Sequence, residues 1–274
     1  MPELPEVETT LRGIKPHVDH AVISDFVVRN PSMRWPVPIH DLQKLIGQTV
    51  TLVERRAKYL LIHTDLGVIL LHLGMSGSLR ILDNKILAEK HDHIDIELNS
   101  NTVLRLNDPR RFGCCLFIEP CKQAVEEHNL LATLGPEPLS DEFDTDYLFT
   151  LSRKRRVPIK NFIMDGKVVV GVGNIYASEA LFLAKIRPTV KANEVSKARY
   201  QQLTLTIKQV LRNAIEAGGT TLNDFLQVDG KPGYFKQELQ VYARAGEACN
   251  LCHKKIKSIM IGQRNTFYCP CCQK

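Results

Sequence analysis

No run of eighteen consecutive apolar residues occurs in the 274-residue chain, so no segment is fit to cross a bilayer as a helix. The first residues carry glutamates where a secretory leader carries basic and then apolar residues, which argues against export and for a cytoplasmic location. Internal repeats and low-complexity tracts are also absent. Net charge is missing from most of the sequence. Residues 1–230 sum to zero, and the whole formal +6 lies in 231–274, where eight Lys and Arg face only Glu238 and Glu247. A basic terminal segment suits a polyanion. Cysteine is scarce before residue 249, and five of the eight fall in the last 26 residues. In a reducing compartment such clustering favours a metal over disulfides. What remains is a chain that is 44% apolar and long enough for one large or two modest cores.

Short strands punctuated by turns are predicted over 21–29, 49–56, 59–63, 68–72, 78–82, 93–98, 103–107 and 115–118, with Asp65-Leu66-Gly67 and Asn99-Ser100-Asn101 as turn signals. Eight strands at this spacing argue for an antiparallel sandwich or barrel with an N-terminal helix laid against it. Residues 119–139 read as a connection, after which the period changes to helical over 144–155, 158–164, 174–186 and 196–217. Ser196 is placed to cap the last helix and Gly218 to end it. The glycine-rich stretch 218–234 reads as a long loop, a class of segment that often carries function.

The opening residues place three unusual groups at one helix start. Met1 precedes a small residue and is expected to be removed, leaving Pro2 with a free secondary amine. An α-amine has a reference pKa of about 8, so an appreciable nucleophilic fraction exists at neutral pH. Prolines at 2 and 5 suit the first turn of a helix, whose early N–H groups lack internal partners. Glu3 and Glu6 fall on one side of that turn. A secondary amine attacking a sugar carbon can become an iminium, and a carboxylic acid beside it can supply a proton. Taken alone, the same residues also read as an ordinary helix start with acids complementing the dipole.

Cys249-x2-Cys252-x16-Cys269-x2-Cys272 has the spacing of two knuckles that offer four thiolates to one tetrahedral zinc. Spacing leaves Cys271 open as an alternative to Cys272. The metal is expected to be structural, because four thiolates leave no open position for water. Between the knuckles, Ile256, Ile259, Ile261 and Tyr268 suit a β-hairpin with Arg264 near its bend, placed for a phosphate or minor-groove contact. The Gly171-x-Gly173 run lacks a third glycine, since that position is Tyr176, so a dinucleotide fingerprint is a poor fit. A better reading lets backbone amides and Asn174 approach a phosphate at a helix start. Lys58 by itself reads as a solvated edge charge, Met75 and Phe112 as core, and His91-Asp92-His93 as a plain strand segment, since no further metal ligands are identifiable.

Pro2-Glu3-Leu4-Pro5-Glu6-Val7-Glu8 resembles the opening of the formamidopyrimidine-DNA glycosylases, which excise oxidised purines and then cut the strand. Gly171-Val-Gly-Asn-Ile-Tyr-Ala-Ser-Glu-Ala-Leu181 is similar to that family's helix–two-turns–helix motif, and the cysteine-rich ending is similar to its zinc finger. Ala57, before Lys58, and His253, after the second knuckle cysteine, stand where the family is expected to carry glycine.

The resemblance implies an α+β fold: an N-terminal antiparallel β-sandwich with a catalytic N-terminal helix, then a helical helix–two-turns–helix domain ending in a zinc-binding β-hairpin. The expected domains are 1–135, 136–235 with a lesion-capping loop, and 236–274 as the zinc finger. It implies Pro2 as nucleophile, Glu3 as the acid at the sugar ring oxygen, Glu6 as a positioning group and Lys58 reaching phosphate and base. His72, Met75, Arg110, Phe112, Lys160, Asn174 and Arg264 become DNA contacts, with Lys160 and Asn174 on phosphates. Met75, Arg110 and Phe112 are the groups that enter the duplex, where they offset an unstacking cost of a few kcal/mol. Thr220 and Thr221 are expected at the damaged base. The implied partner is double-stranded DNA containing oxidised bases, with one zinc, no membrane, and a monomeric, nucleoid-associated protein. Two alternatives stand beside this reading. An enzyme resembling endonuclease VIII would act on oxidised pyrimidines, although Leu4 and Gly218-Gly219-Thr220-Thr221-Leu222 favour the purine branch. A non-catalytic zinc-finger DNA-binding protein would explain the basic tail but not Pro2, Glu3 and Glu6 together.

Overall fold

The computed structural model describes residues 2–119, 124–219 and 239–274. They form two compact units, one holding residues up to 132 together with 217–219, the other holding 133–216 and 239–274. The first unit begins with helix α1 (Leu4–Val18) and continues through β1 (Ile23–Val28), the short helix α2 (Ile39–Gln43), β2 (Leu52–Arg56), β3 (Tyr59–His63), β4 (Val68–His72), β5 (Ser78–Asp83), β6 (Asp92–Leu98), β7 (Thr102–Asn107) and β8 (Cys114–Ile118). All eight strands expected from the sequence are present, each within three residues of its expected ends. The helix α2 has no counterpart in the sequence reading, because five residues are too few to show a 3.6-residue period.

The strands form two antiparallel four-stranded sheets, ordered β1-β6-β7-β5 and β2-β3-β4-β8. Alternation sets their inner faces. Leu60 and Ile62 of β3 pair with Leu71 and Ile69 of β4, and these pair in turn with Cys115 and Phe117 of β8, so one face of the second sheet is continuously apolar. That face shares a core with Phe26, Leu79, Ile94, Ile96, Leu104 and Leu106 of the first sheet, which makes a sandwich. Val7, Ile14 and Val18 of α1 enter the same core, and the helix touches strands of both sheets. Burial of one helical stripe against both sheets fixes the N-terminus to the sandwich.

In the second unit, α3 (Thr145–Ser152), α4 (Ile159–Met164), α5 (Asn174–Leu183) and α6 (Lys197–Glu216) are followed by the hairpin strands β9 (Lys257–Ile261) and β10 (Arg264–Tyr268). Asp144 caps α3 by accepting the Tyr147 N–H at 2.7 Å, and Ser196 accepts the Arg199 N–H at the start of α6. The predicted α6 stripe of Leu203, Ile207, Val210, Leu211 and Ala214 is buried, and the helix gives way to Gly218 at φ +77°. No helix among the described residues is long and apolar enough to cross a membrane.

Candidate active site

At the N-terminus, Glu3 is 2% exposed and Glu6 fully buried, an unusual state for two carboxylates on one helical turn. A capping box pairs them, with the Glu3 N–H donating to Glu6 Oε2 at 2.8 Å. Pro2, also buried, therefore sits beside two acids that the helix start holds in place. Gly219 packs against Glu6, a Cβ there lying 3.5 Å from Glu6 Cγ. The chain thus approaches the helix start just before Thr220 and Thr221, which lie outside the described residues.

Lys58 lies in a turn that is held from α1. Glu8 accepts from Arg12 at 3.0 Å and from Arg55 Nε at 2.9 Å, and Arg55 also donates to the Ala57 carbonyl at 2.8 Å. Burial raises the Glu8 pKa, but Arg55 and then Arg12 outweigh it and leave the carboxyl below its ordinary value. The β2–β3 turn is thereby tied to α1. Ala57 adopts φ +54°, the left-handed conformation for which glycine is the usual choice, so the turn is kept despite the missing glycine.

His72 stands at the end of β4 against Tyr59, with ring centroids 4.9 Å apart, and its Nδ1 accepts the Gly74 N–H at 3.0 Å. Burial, then the positive charges of Lys58 and Arg34, push its pKa from 6.5 down to about 4, so the ring is neutral at physiological pH. The folded state therefore binds fewer protons than the unfolded one between these values, and stability falls as pH drops from about 6.5 towards 4. In denaturation measured from neutral pH down to about 4, His72→Gln should show a shallower loss than the parent. Parallel pH slopes for the two proteins would contradict this assignment.

Beyond β4, Met75 is half-buried on one loop, while Arg110 and Phe112 are exposed on another, the guanidinium 4.8 Å from the Phe112 ring centre. Phe112 is 45% exposed, so it is a surface aromatic rather than core. The structure thus places an apolar pair and a cation on neighbouring loops of one sandwich.

In the helical unit, Lys160 of α4 is fully buried, and its ammonium donates to Asn174 Oδ1 at 2.5 Å and Thr266 Oγ1 at 2.6 Å. Asn174, the first residue of α5, also donates from Nδ2 to the Asn265 carbonyl at 3.0 Å. The two residues expected at phosphates are therefore brought together, with Lys160 inside and Asn174 nearer the surface. Asn265 and Thr266 were not legible as members of this group, since nothing in a strand pattern reveals a partner ninety residues away.

Gly262 and Gln263 both have positive φ, as a two-residue hairpin turn requires, and Arg264 follows them, exposed, paired across the hairpin with Ile261. The four thiolates of Cys249, Cys252, Cys269 and Cys272 lie within 4.8 Å of one another, with Cys252 3.4 Å from Cys269 and Cys249 3.9 Å from Cys272. A zinc tetrahedron with bonds of about 2.3 Å has edges of about 3.8 Å, so the donor set fits that ion. Cys271 is exposed and outside the cluster, which resolves the choice between neighbours. His253 adopts φ +61°, so the knuckle keeps its shape without glycine.

Glu179 was missed as well. This α5 carboxylate is 3% exposed and accepts the N–H groups of Gln240, Val241 and Tyr242 at 2.8, 3.0 and 2.8 Å. Burial raises its pKa against the opposing pull of these three amides. It anchors to α5 the chain that leads into the zinc knuckle.

A sandwich whose first helix buries two carboxylates beside Pro2, joined in sequence to a helical unit ending in a thiolate-bound basic hairpin, defines an enzyme of the helix–two-turns–helix, zinc-finger class. Residues 1–115 match the formamidopyrimidine-DNA glycosylase N-terminal domain, 134–225 its H2TH domain and 246–274 the zinc finger found in FPG and IleRS. The formamidopyrimidine-DNA glycosylase of Alteromonas mediterranea is 58% identical over the full length of both chains. A Lactococcus lactis FPG mutant in complex with Fapy-dG-containing DNA superposes with a TM-score of 0.92 at 33% identity, covering 100% of both chains. Lactococcus lactis Fpg bound to abasic-site DNA gives 0.91 at 33% identity and 99% coverage of each. The chain belongs to the formamidopyrimidine-DNA glycosylase family.

Proposed function

We propose that this protein removes oxidised purines, including 8-oxoguanine and formamidopyrimidines, from double-stranded DNA and cuts the strand at the resulting abasic site. The observation that carries the reading is the buried Glu3–Glu6 capping box beside Pro2. With Met1 removed, the Pro2 nitrogen forms a bond to C1′ as the glycosidic bond breaks, and the base leaves with the bonding pair and acquires a proton. Glu3 protonates the sugar ring oxygen as the ring opens, which leaves an iminium between Pro2 and C1′. Loss of the C2′ proton then expels the 3′ phosphate, and a second elimination expels the 5′ phosphate. Glu6 holds the helix start and the sugar. Lys58 and the neutral His72 face the DNA, while Met75, Arg110 and Phe112 fill the space of the extruded nucleotide. Thr220 and Thr221 contact the damaged base.

Phosphate binding falls to Asn174, supported by the Lys160 charge, and to Arg264. Zinc braces the hairpin and supplies no reaction step. The protein acts as a monomer in the cytoplasm, at the nucleoid. Borohydride trapping on duplexes carrying 8-oxoguanine or an oxidised pyrimidine tests the reading. Faster trapping on 8-oxoguanine is expected; preference for the pyrimidine would favour the sister activity, and no trapping on either would remove the lyase assignment.

Arg264→Ala should weaken binding to every duplex and reduce the slope of log K against log salt by about 0.9, one phosphate's worth. An unchanged slope would place Arg264 away from the backbone. Chelating the zinc should weaken binding further, because the hairpin that carries Arg264 loses its brace as well.

A further inference from the structure

Asp108, between β7 and the Arg110–Phe112 loop, is a fully buried carboxylate to which the mechanism assigns no role. Its Oδ1 accepts the Ser76 hydroxyl at 2.9 Å and the Arg110 N–H at 3.2 Å, and its Oδ2 accepts the Gly113 N–H at 2.8 Å. Ser76 adjoins Met75, while Arg110 and Gly113 bracket Phe112. One side chain therefore holds both loops that present the wedge.

The loops also interlock through their backbones. Gly74 has φ +63°, and a Cβ on it would lie 2.5 Å from the Gly113 nitrogen and 2.6 Å from the Phe112 carbonyl oxygen. A Cβ on Gly113 would lie 2.6 Å from the His72 carbonyl oxygen. With no slack at these crossings, a shift of one loop must move the other.

Asp108 is itself fixed by the His91-Asp92-His93 segment. Its N–H donates to the His91 carbonyl at 3.0 Å, and its carbonyl accepts from His93 Nε2 at 2.9 Å. Asp92 accepts the Glu89 N–H at 2.8 Å and Asn107 Nδ2 at 2.8 Å and pairs with Arg80; burial raises its pKa, but these hydrogen bonds and the Arg80 charge outweigh it and leave the carboxyl below its ordinary value. The His91 carbonyl and the His93 ring thus set the backbone from which Asp108 reaches the two loops.

We propose that Asp108 is a positioning residue for strand invasion, coupling the Met75 loop to the Arg110–Phe112 loop so that both enter the duplex as one rigid wedge. The proposal rests on the reading of Met75, Arg110 and Phe112 as the inserted groups. Asparagine at 108 keeps shape and volume but has one acceptor oxygen, so either the acceptor of the Gly113 N–H or the oxygen that the Arg110 N–H and the Ser76 hydroxyl share is lost, and the grip on the Phe112 loop or the tie to Ser76 loosens.

In the full-length, zinc-loaded protein, Asp108→Asn should slow single-turnover excision from an 8-oxoguanine duplex by about tenfold, the scale of one lost buried hydrogen bond. It should equally slow the rise in fluorescence of a 2-aminopurine placed beside the lesion, which reports unstacking. Borohydride trapping on a single-stranded abasic oligonucleotide, which requires no wedge, should stay within about twofold. Combining Asp108→Asn with Phe112→Ala should cost no more than the larger single effect. Ser76→Ala, which removes one donor from the hub, provides a milder variant if Asp108→Asn folds poorly, and should show the same split. Equal losses on duplex and single-stranded substrates, or additive losses in the double variant, would overturn the proposal. Met75→Ala separates the underlying reading: if it leaves the fluorescence rise unchanged, the wedge assignment fails; if it slows the rise and Asp108→Asn does not, only the coupling fails.

Discussion

Glu3→Gln is expected to lower base excision by about 10² to 10⁴-fold while duplex affinity stays within about twofold. Glutamine preserves the shape of the side chain and an oxygen that can accept from the helix start, so α1 and its burial in the sandwich survive. What the proposed mechanism would lose is the proton given to the ring oxygen as the sugar opens. Because that proton moves in the transition state and not in the bound duplex, the deficit belongs in the excision rate and not in Kd. Single-turnover excision and equilibrium binding to the same 8-oxoguanine duplex measure the two separately. Parent-like excision by the variant would remove Glu3 from the acid role, and a parallel loss of affinity would make it a binding residue. Glu6→Ala is the useful companion. It removes the oxygen that accepts the Glu3 N–H at 2.8 Å, so its loss should act through helix-start geometry and lower the melting temperature as well as the rate.

Blocking the N-terminus should have a still larger effect on covalent chemistry. With Met1 attached, the Pro2 nitrogen is a tertiary amide whose lone pair is delocalised into the carbonyl, so it can neither attack C1′ nor form an iminium. A preparation that retains Met1 or carries an N-terminal extension should bind lesion duplex through Asn174 and Arg264 yet yield no borohydride-trapped complex, whereas the Met-processed form should trap efficiently. Intact-mass spectrometry establishes the processing state of each preparation, and the two are compared on the same duplex. Equal trapping by the blocked form would place the nucleophile elsewhere, and Lys58 would be the first residue to test.

The sandwich was legible because β3, β4 and β8 are short, nearly continuous apolar runs and turn residues separate the strands. Periodicity made α6 legible because a 20-residue helix shows its stripe several times over. The helix α2 escaped for the opposite reason. Among candidate site residues, motif spacing exposed those with reactive or ligating chemistry of their own: the four cysteines, the Pro2–Glu6 start, and Asn174 at the head of α5. Residues that act through partners distant in sequence stayed hidden. Glu179 reads as one more polar helix residue until three amides sixty positions later are seen to converge on it. Asp108 carries no signal of its own, and Lys160 stands out only through the resemblance, with nothing in the sequence to show that it is fully buried. Ala57 and His253 are the converse case. Their left-handed backbones show that glycine at these turns is a preference of the local conformation and not a requirement of the fold.

The metal-binding tail shares its interior with α5 of the same unit. Phe182 of α5 lies in one cluster with Val241, Cys249, Ile256 and Cys269, and the buried Gln273 donates to the Ile186 carbonyl at 2.8 Å while accepting the Cys269 N–H at 2.8 Å. As a module for transplantation, then, residues 239–274 are incomplete. A peptide cut at that boundary keeps all four thiolates but leaves behind the aromatic ring, the carbonyl and the Glu179 carboxylate that orient them. Grafting this finger onto another scaffold calls for carrying α5 along with it, or for rebuilding an equivalent hydrophobic and amide-binding platform beneath the knuckles.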